Sequence, residues 1–182
     1  MCTLAAGGDF SSGCPVTAPG VRSGDIWLIN RSEVTFTGES SSNHLFTSFT
    51  MSGAAVVYRY EMHNTGNSVT EEFQANDNGG GSFFPSVNLR ALSTSNLSSK
   101  AITDLVGSDV VAVVRTKADK FLVLGSGGGL TLVSNSYSTE TDNLGESFSL
   151  APAANGDGEP TKHKYLLDTD VATTQALLEA AE

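Results

Sequence analysis

The sequence predicts a mainly β fold: an antiparallel β-sandwich or barrel with one internal α-helix, a projecting hairpin, an extended N-terminal arm and a short C-terminal helix. Aliphatic residues come in short runs separated by Gly, Asn and Ser, a pattern typical of short strands joined by turns. Ser and Thr are abundant along the whole chain, as expected when one face of a sheet meets water. A length of 182 residues suits one domain with a sizeable core.

The chain divides into an arm, residues 1–24, and a single β-rich domain, residues 25–182. The arm contains five glycines and two prolines, a composition that predicts an extended segment rather than a packed element. The first predicted strand is Asp25–Asn30, "DIWLIN", and Trp27 is its expected core residue.

A hairpin that projects from the domain is predicted at about residues 33–51. Two alternating segments, Glu33–Gly38 and Leu45–Met51, flank the polar tip Glu39–His44. We expect this tip to reach into solvent or onto a neighbouring molecule.

Three further strands are predicted at Ala54–Asn64, Ser68–Asn76 and Ser82–Leu92. Pro85 lies inside the last of them and cannot donate a backbone hydrogen bond. We therefore expect an edge position or a bulge at this residue.

The segment "SSKAITDLVG" predicts an internal helix at about residues 98–106. Ser98 is the expected cap, and Gly107 can end the helix in the left-handed conformation. The apolar face of this helix is predicted to consist of Ala101, Ile102, Leu105 and Val106.

The second half of the chain begins with Asp109–Thr116, whose continuous aliphatic run predicts a strand buried on both faces. A turn at 117–120 leads into "FLVLG", and further short strands follow in "GLTLVSNSYST", "ESFSLAPA" and "HKYLL". A C-terminal helix is predicted at about residues 170–181, with Leu177 and Leu178 as its large apolar residues.

The glycine run in "KFLVLGSGGGLTLV" raises the question of a phosphate-binding loop. Such a loop needs a helix after it and usually a lysine beside the anion. Here Leu130–Val133 follows, which is rich in β-formers, and no Lys-Ser or Lys-Thr pair closes the loop. The run therefore predicts a flexible hairpin connection between two strands.

The charge distribution disfavours two classes of partner. The formal net charge is −10, and residues 139–182 carry nine acidic but two basic side chains. A basic footprint for gripping nucleic acid is therefore absent, and an anionic membrane surface is an equally poor partner. The longest aliphatic run, Val110–Val114, is too short to cross a bilayer.

No motif predicts a catalytic, cofactor-binding or metal site, and we expect a protein that is not an enzyme. "GESFS" lacks the last glycine of a nucleophile elbow. The pair Glu71-Glu72 points to opposite faces of a strand, which is poor geometry for acid–base work. The histidines have polar neighbours, which predicts solvated loop or strand-end positions for His44, His63 and His163.

Metal ligands and thiols give no stronger signal. "NDNGGG" and "NGDGE" resemble fragments of calcium loops, but turn chemistry alone explains both segments. Cys2 and Cys14 could form a disulfide, although two thiols in a reducing compartment are the commoner state. The N-terminus lacks the basic and apolar regions of a signal peptide.

Two stretches carry a resemblance to a known family, "SSGCPVTAPGVRSGDIWLIN" at the start and "DKFLVLGSGGGLTLVSNSYSTETDNLGESFSL" later. Together with the order of elements over most of the chain, they resemble the tail tube proteins of bacteriophages. More loosely, the chain is similar to other virion proteins of small β-sandwich type.

The resemblance implies a hexameric ring whose inner sheets join into a continuous barrel, with rings stacked into a conduit for DNA. The implied partners are copies of the chain and other tail proteins, with DNA passing through unbound and no membrane involved. The implied location is the virion, after assembly in the host cytoplasm. We further hypothesise that acidic residues of 139–182, such as Asp142 and Glu146, face the lumen and repel phosphate.

Three alternatives remain open at this stage. One is a capsid decoration or tail-completion protein, which would form trimers or a single ring. Another is a carbohydrate-binding β-sandwich, for which Tyr58 and Tyr60 on one strand face could form a small platform, although core or interface packing also explains them. The last is a hydrolase.

Overall fold

A computed structural model describes residues 21–39, 44–60, 62, 66–75, 80–90, 96–138, 145–153, 158–159, 163–167 and 170–182. Its strands and helices, in chain order, are β1 Val21–Asn30, β2 Val34–Thr37, β3 Leu45–Phe46, β4 Ser48–Met51, β5 Tyr58–Tyr60, β6 Ser68–Ala75, β7 Gly81–Arg90, α1 Asn96–Leu105, β8 Val110–Thr116, β9 Phe121–Leu124, β10 Thr131–Ser138, β11 Gly145–Ala151, β12 Lys164–Leu166 and α2 Val171–Glu179.

The strands form two main sheets and one small one. The six-stranded sheet has the order β3-β12-β9-β8-β1-β5, the four-stranded sheet has the order β10-β11-β7-β6, and β2 pairs with β4. The pairings are antiparallel, with the exception of the parallel pair β12 and β3. The predicted fold class, a mainly β antiparallel sandwich with a short C-terminal helix, is confirmed.

The six-stranded sheet is the middle layer, because its central strands bury both faces. In β1, Ile26 and Leu28 join the core cluster shared with the four-stranded sheet, while Trp27 and Ile29 join the cluster on the opposite face. Strand β8 alternates in the same way and its first six residues are buried. The continuous aliphatic run was therefore interpreted correctly as a doubly buried strand.

The outer face of the middle sheet is covered by the β2–β4 hairpin and by α2. Phe36 of the hairpin stacks near Phe46, with ring centroids 4.9 Å apart, and Leu178 of α2 is fully buried. Trp27 donates its indole N–H to the Glu182 side chain at 3.1 Å. The predicted hairpin thus packs its base against the sheet, while its tip, residues 40–43, lies outside the described residues.

Helix α1 begins at Asn96, two residues before the predicted cap, so Ser98 is a helical residue and not the cap. Ile102 and Leu105 are buried between the sheets as predicted. Val106 was wrongly placed on the apolar face: it lies in the turn after the helix and its side chain is 68% exposed. Gly107 follows with φ +77°, which confirms the left-handed end of the helix.

Several predicted boundaries need correction. Strand β1 begins at Val21, so residues 21–24 are strand rather than arm, and residues 1–20 lie outside the described part. In the strand predicted at Ala54–Asn64, residues 54–57 are not strand and Tyr58–Tyr60 are, while residues 61, 63 and 64 lie outside the described residues. Along one side of β7, Phe83 forms a bridge with Glu159, and pairing with β11 ends at Val87. Pro85 lies between these two contacts, so the N–H group that it lacks falls where β7 has no pairing partner on that side.

The glycine run is not a hairpin connection. Strand β9 belongs to the six-stranded sheet and β10 to the four-stranded sheet, so the loop carries the chain from one layer to the other. Gly125 and Gly129 both have φ near +80°, and Leu130 exchanges backbone hydrogen bonds with Val110 directly after the turn. The prediction of a strand on each side of the glycine turn is confirmed, but the prediction that these two strands pair as a hairpin was wrong.

The C-terminal helix is fixed at its start by Asp170. Its carboxylate accepts a hydrogen bond from the backbone N–H of Thr173 at 2.8 Å, and the Thr173 hydroxyl accepts one from the backbone N–H of Asp170. These hydrogen bonds lower the pKa of Asp170 below its ordinary value. This reciprocal cap sets where α2 starts on the sheet.

The burial of Leu105 and the exposure of Val106 give a first prediction. Leu105→Ala should destabilise the protein by about 2–5 kcal/mol, because it opens a cavity between the two sheets. The neighbouring Val106→Ala should change the free energy of unfolding by less than about 0.5 kcal/mol. Urea unfolding of both variants checks this, and equal losses would contradict the described helix orientation.

Candidate functional site

The four-stranded sheet ends in β10, a strand whose outer edge is open in the described part of the chain. Its sequence, "TLVSNSYS", contains no charged residue and no proline. A bulge interrupts the pairing with β11 near Val133, and the ladder is regular from Ser134 onward. Natural sheet edges are usually protected by lysine, proline or a covering element. Beyond its one bulge, β10 has neither lysine nor proline, and none of the described residues pairs with its outer edge.

The opposite edge of the same sheet is β6, which is paired with β7 over its full eight residues. Phe73 near its end is 57% exposed and contacts Phe83 with ring centroids 5.1 Å apart. On β10, Val133 and Tyr137 are 50% and 60% exposed. Large exposed apolar side chains therefore lie on both edge strands of this sheet.

The two edges differ in chemistry. Strand β6 carries Glu71 and Glu72, whereas β10 is uncharged. Glu72 is exposed and the Glu71 side chain is buried, so the prediction that this pair points to opposite faces is confirmed. Because the edges are unlike, pairing β10 of one molecule with β6 of another is a head-to-tail contact.

The face of the four-stranded sheet that points away from the core is rich in hydroxyl groups. Across three strands, Ser149 donates to the Asn88 side chain at 2.5 Å, and Asn88 donates to Ser68 at 3.3 Å. Register places further small polar residues on this face, namely Ser134, Ser136, Ser147, Ser86 and Thr70. Its charged residues include Glu72 and Arg90, one of each sign.

The structure does not support the placement of Glu146 on an exposed acidic surface. Glu146 is 7% exposed, shares the inner face of β11 with Phe148, and accepts a hydrogen bond from the Asn135 amide at 2.9 Å. Asp142 lies outside the described residues. The acidic C-terminal helix lies beyond the middle sheet, on the far side from the four-stranded sheet.

The glycine loop before β10 does hold an anion, and it is a carboxylate of the same chain. Glu159 is 6% exposed, and its Oε1 accepts the backbone N–H groups of Gly127 at 2.7 Å and Gly128 at 3.3 Å. Arg31 donates from Nε to the Gly127 carbonyl at 3.2 Å. A Cβ on Gly127 would lie 2.9 Å from the Glu159 carboxylate, so a larger residue would collide there.

Strand β6 is held by hydrogen bonds between Glu71 and His163 that the sequence did not predict. Glu71 accepts the His163 backbone N–H at 2.7 Å, and its other oxygen lies 3.0 Å from the His163 ring nitrogen Nδ1. The Glu71 side chain is 7% exposed and that of His163 is 18% exposed. His163 was therefore wrongly predicted as a solvated loop residue: it ties β6 to the start of β12.

The remaining predicted sites divide into two groups. His44 is exposed in a turn with φ +48°, as predicted for a loop residue. His63, Cys2 and Cys14 lie outside the described residues, as do most of the two calcium-like segments. Within the described ranges, no group of three His, Cys, Asp or Glu side chains is close enough to hold a metal ion. No helix in those ranges is long and apolar enough to span a membrane.

Comparisons with known proteins give no relative for this chain. No family model, no curated protein and no solved structure matches it. Any functional conclusion therefore rests on the sheet edges, faces and cavities of the molecule itself.

The Glu159 contact gives a second prediction. Glu159→Ala should destabilise the protein by about 1–3 kcal/mol, because two loop N–H groups lose a buried charged acceptor. Glu159→Gln should lose less, since the amide oxygen can still accept one of these bonds. The control is Glu72→Ala at an exposed position of β6. Urea unfolding together with hydrogen exchange at Gly127 measures the effect, and unchanged exchange in Glu159→Ala would contradict the described contact.

Proposed function

We propose that this chain is a structural, self-assembling subunit of a phage tail that forms stacked rings as a conduit for DNA. The observation that carries the proposal is the pair of unlike edges on one sheet, neither of which pairs with a further strand among the described residues. Pairing β10 of one copy with β6 of the next satisfies both edges, and repetition of a head-to-tail contact closes a ring when the rotation permits.

The geometry of such a ring is consistent with a channel. Six copies with four strands each would close a barrel of about 24 strands. With about 4.8 Å between strands and a tilt of about 40°, this barrel would be roughly 48 Å across between backbones. Barrels of about 16–18 strands already enclose an aqueous channel, so a larger ring leaves room for a passing duplex.

The proposed lumen surface is the hydroxyl-rich face of the four-stranded sheet. Ser, Thr and Asn side chains on this face carry no charge, and the opposite signs of Glu72 and Arg90 leave little net field. Such a surface offers few cations for phosphate contacts, while the net charge of −10 disfavours adhesion of DNA to the ring as a whole. The proposed lumen is therefore polar, in place of the acidic lumen hypothesised from the sequence.

Other tail proteins and neighbouring rings are the remaining proposed partners. The tip of the β2–β4 hairpin is the proposed contact between stacked rings. The proposed location is the virion, with assembly in the host cytoplasm. A decoration or tail-completion protein would use the same edges but stop at a trimer or a single ring.

Lysines introduced on β10 test the proposed assembly. The double variant Val133→Lys/Tyr137→Lys should remain monomeric, because edge pairing would remove two ammonium groups from water. The wild-type chain should form rings or tubes at high concentration. Negative-stain microscopy and light scattering measure both.

The matched control is Val106→Lys, which adds a charge at an exposed apolar residue in the turn after α1 and on neither edge strand. It should assemble like the wild type. A wild-type chain that stays monomeric at high concentration, or a double variant that still forms rings, would overturn the proposed function.

A further inference from the structure

We propose that the cleft between β5 and α1 is a binding site for a saccharide ring. The cleft has a volume of about 300 Å³ and is lined on one side by the edge of the six-stranded sheet and on the other by α1. It lies outside both edges of the four-stranded sheet, so the inference does not depend on ring assembly.

Two tyrosines form the aromatic side of the cleft. Tyr58 and Tyr60 are two residues apart on β5 and pair with Leu28 and Ile26 of β1, so both rings lie on the same face of the sheet. Tyr60 packs edge-on against Phe148 with ring centroids 6.4 Å apart, whereas Tyr58 is 52% exposed. One ring is therefore held by the core and the other is presented to a ligand.

Polar groups lie opposite and beside the rings. Asp104 and Ser108 line the cleft from the end of α1, and Asn30 lines it from the end of β1. The Ser108 hydroxyl donates to the Asp104 carbonyl at 2.7 Å, and Lys100 donates to the Asp104 carboxylate at 2.5 Å. Asp104 and Ser108 are thus fixed by hydrogen bonds within and just after α1, and the Asn30 amide is fixed by donating to the Glu33 side chain at 2.8 Å.

The electrostatics of Tyr60 agree with this arrangement. Burial raises the pKa of the Tyr60 hydroxyl, and the nearby Tyr58 and Asp104 raise it further. Tyr58, Tyr60 and Asp104 line the same cleft, and the raised pKa keeps Tyr60 a hydroxyl that can donate a hydrogen bond.

A second recess extends the cleft. Asn30 and Ser108 also line a polar cavity of about 510 Å³, together with Arg31, Asp109 and Gly128. The two cavities share Asn30 and Ser108, so a polar recess adjoins the aromatic cleft. The cleft itself is large enough for one sugar ring.

The chemistry favours a saccharide over a purely apolar ligand. A pyranose has an apolar face of C–H bonds that packs on an aromatic ring, and its rim of hydroxyls needs acceptors and donors at fixed positions. Tyr58 supplies the ring, while Asp104, Ser108 and Asn30 supply the polar contacts. A purely hydrophobic ligand would leave the polar groups of this set unused.

The test measures binding of methyl glycosides of glucose, galactose, mannose and N-acetylglucosamine. Shifts of tyrosine resonances and saturation-transfer NMR are recorded on the full wild-type chain and on the Val133→Lys/Tyr137→Lys variant. At least one glycoside should bind both proteins. Because binding and assembly are measured separately, failure of one does not decide the other.

Variants then locate the site. Tyr58→Ala and Asp104→Asn should each weaken binding about tenfold, through loss of a stacking ring and of a charged acceptor. Phe73→Ala removes an aromatic ring of similar exposure on β6 and should leave binding unchanged. Unchanged thermal unfolding midpoints verify that the variants are folded.

Three outcomes would overturn the proposal. The first is the absence of binding by every glycoside at tens of millimolar. The second is equal binding by the wild type, Tyr58→Ala and Asp104→Asn. The third is a change in oligomeric state in Tyr58→Ala without any change in glycoside binding, which would make the cleft a protein–protein contact.

Discussion

Burial of the middle sheet on both faces is the constraint on which the rest of the structure depends. Strands β1 and β8 place alternate aliphatic residues into two separate cores, so each face requires a covering layer. The four-stranded sheet with α1 covers one face, and the β2–β4 hairpin with α2 covers the other. A layer that covers a sheet on one side leaves its own far side and edges to solvent, and these are the surfaces available for function.

Local sequence patterns predicted the elements well where burial alone determined them. The aliphatic run of β8, the turn into β9 and the glycine end of α1 were all interpreted correctly from residues within a few positions of each other. Val106 shows the limit of this reasoning. Its position in the helical period suggested burial, but Gly107 ends the helix before Val106 can reach the core.

Contacts between distant residues could not be predicted. Glu159 binds the loop at Gly127, 32 positions earlier, and His163 binds Glu71, 92 positions earlier. Nothing in the spacing of these residues indicates either contact, because each depends on which strands share a sheet. For the same reason the glycine run appeared to join a hairpin, although it connects two layers. The open edges were expected in general, but their identity required the strand order.

The difference between β10 and β6, the two edge strands of the four-stranded sheet, has a geometric consequence. If an uncharged strand always meets a strand bearing carboxylates, every molecule in a closed ring points the same way around it, and the upper and lower rims are not equivalent. A column of such rings is polar. Its two ends present different chemistry, so each end can recruit its own terminating protein without any change in the repeating unit.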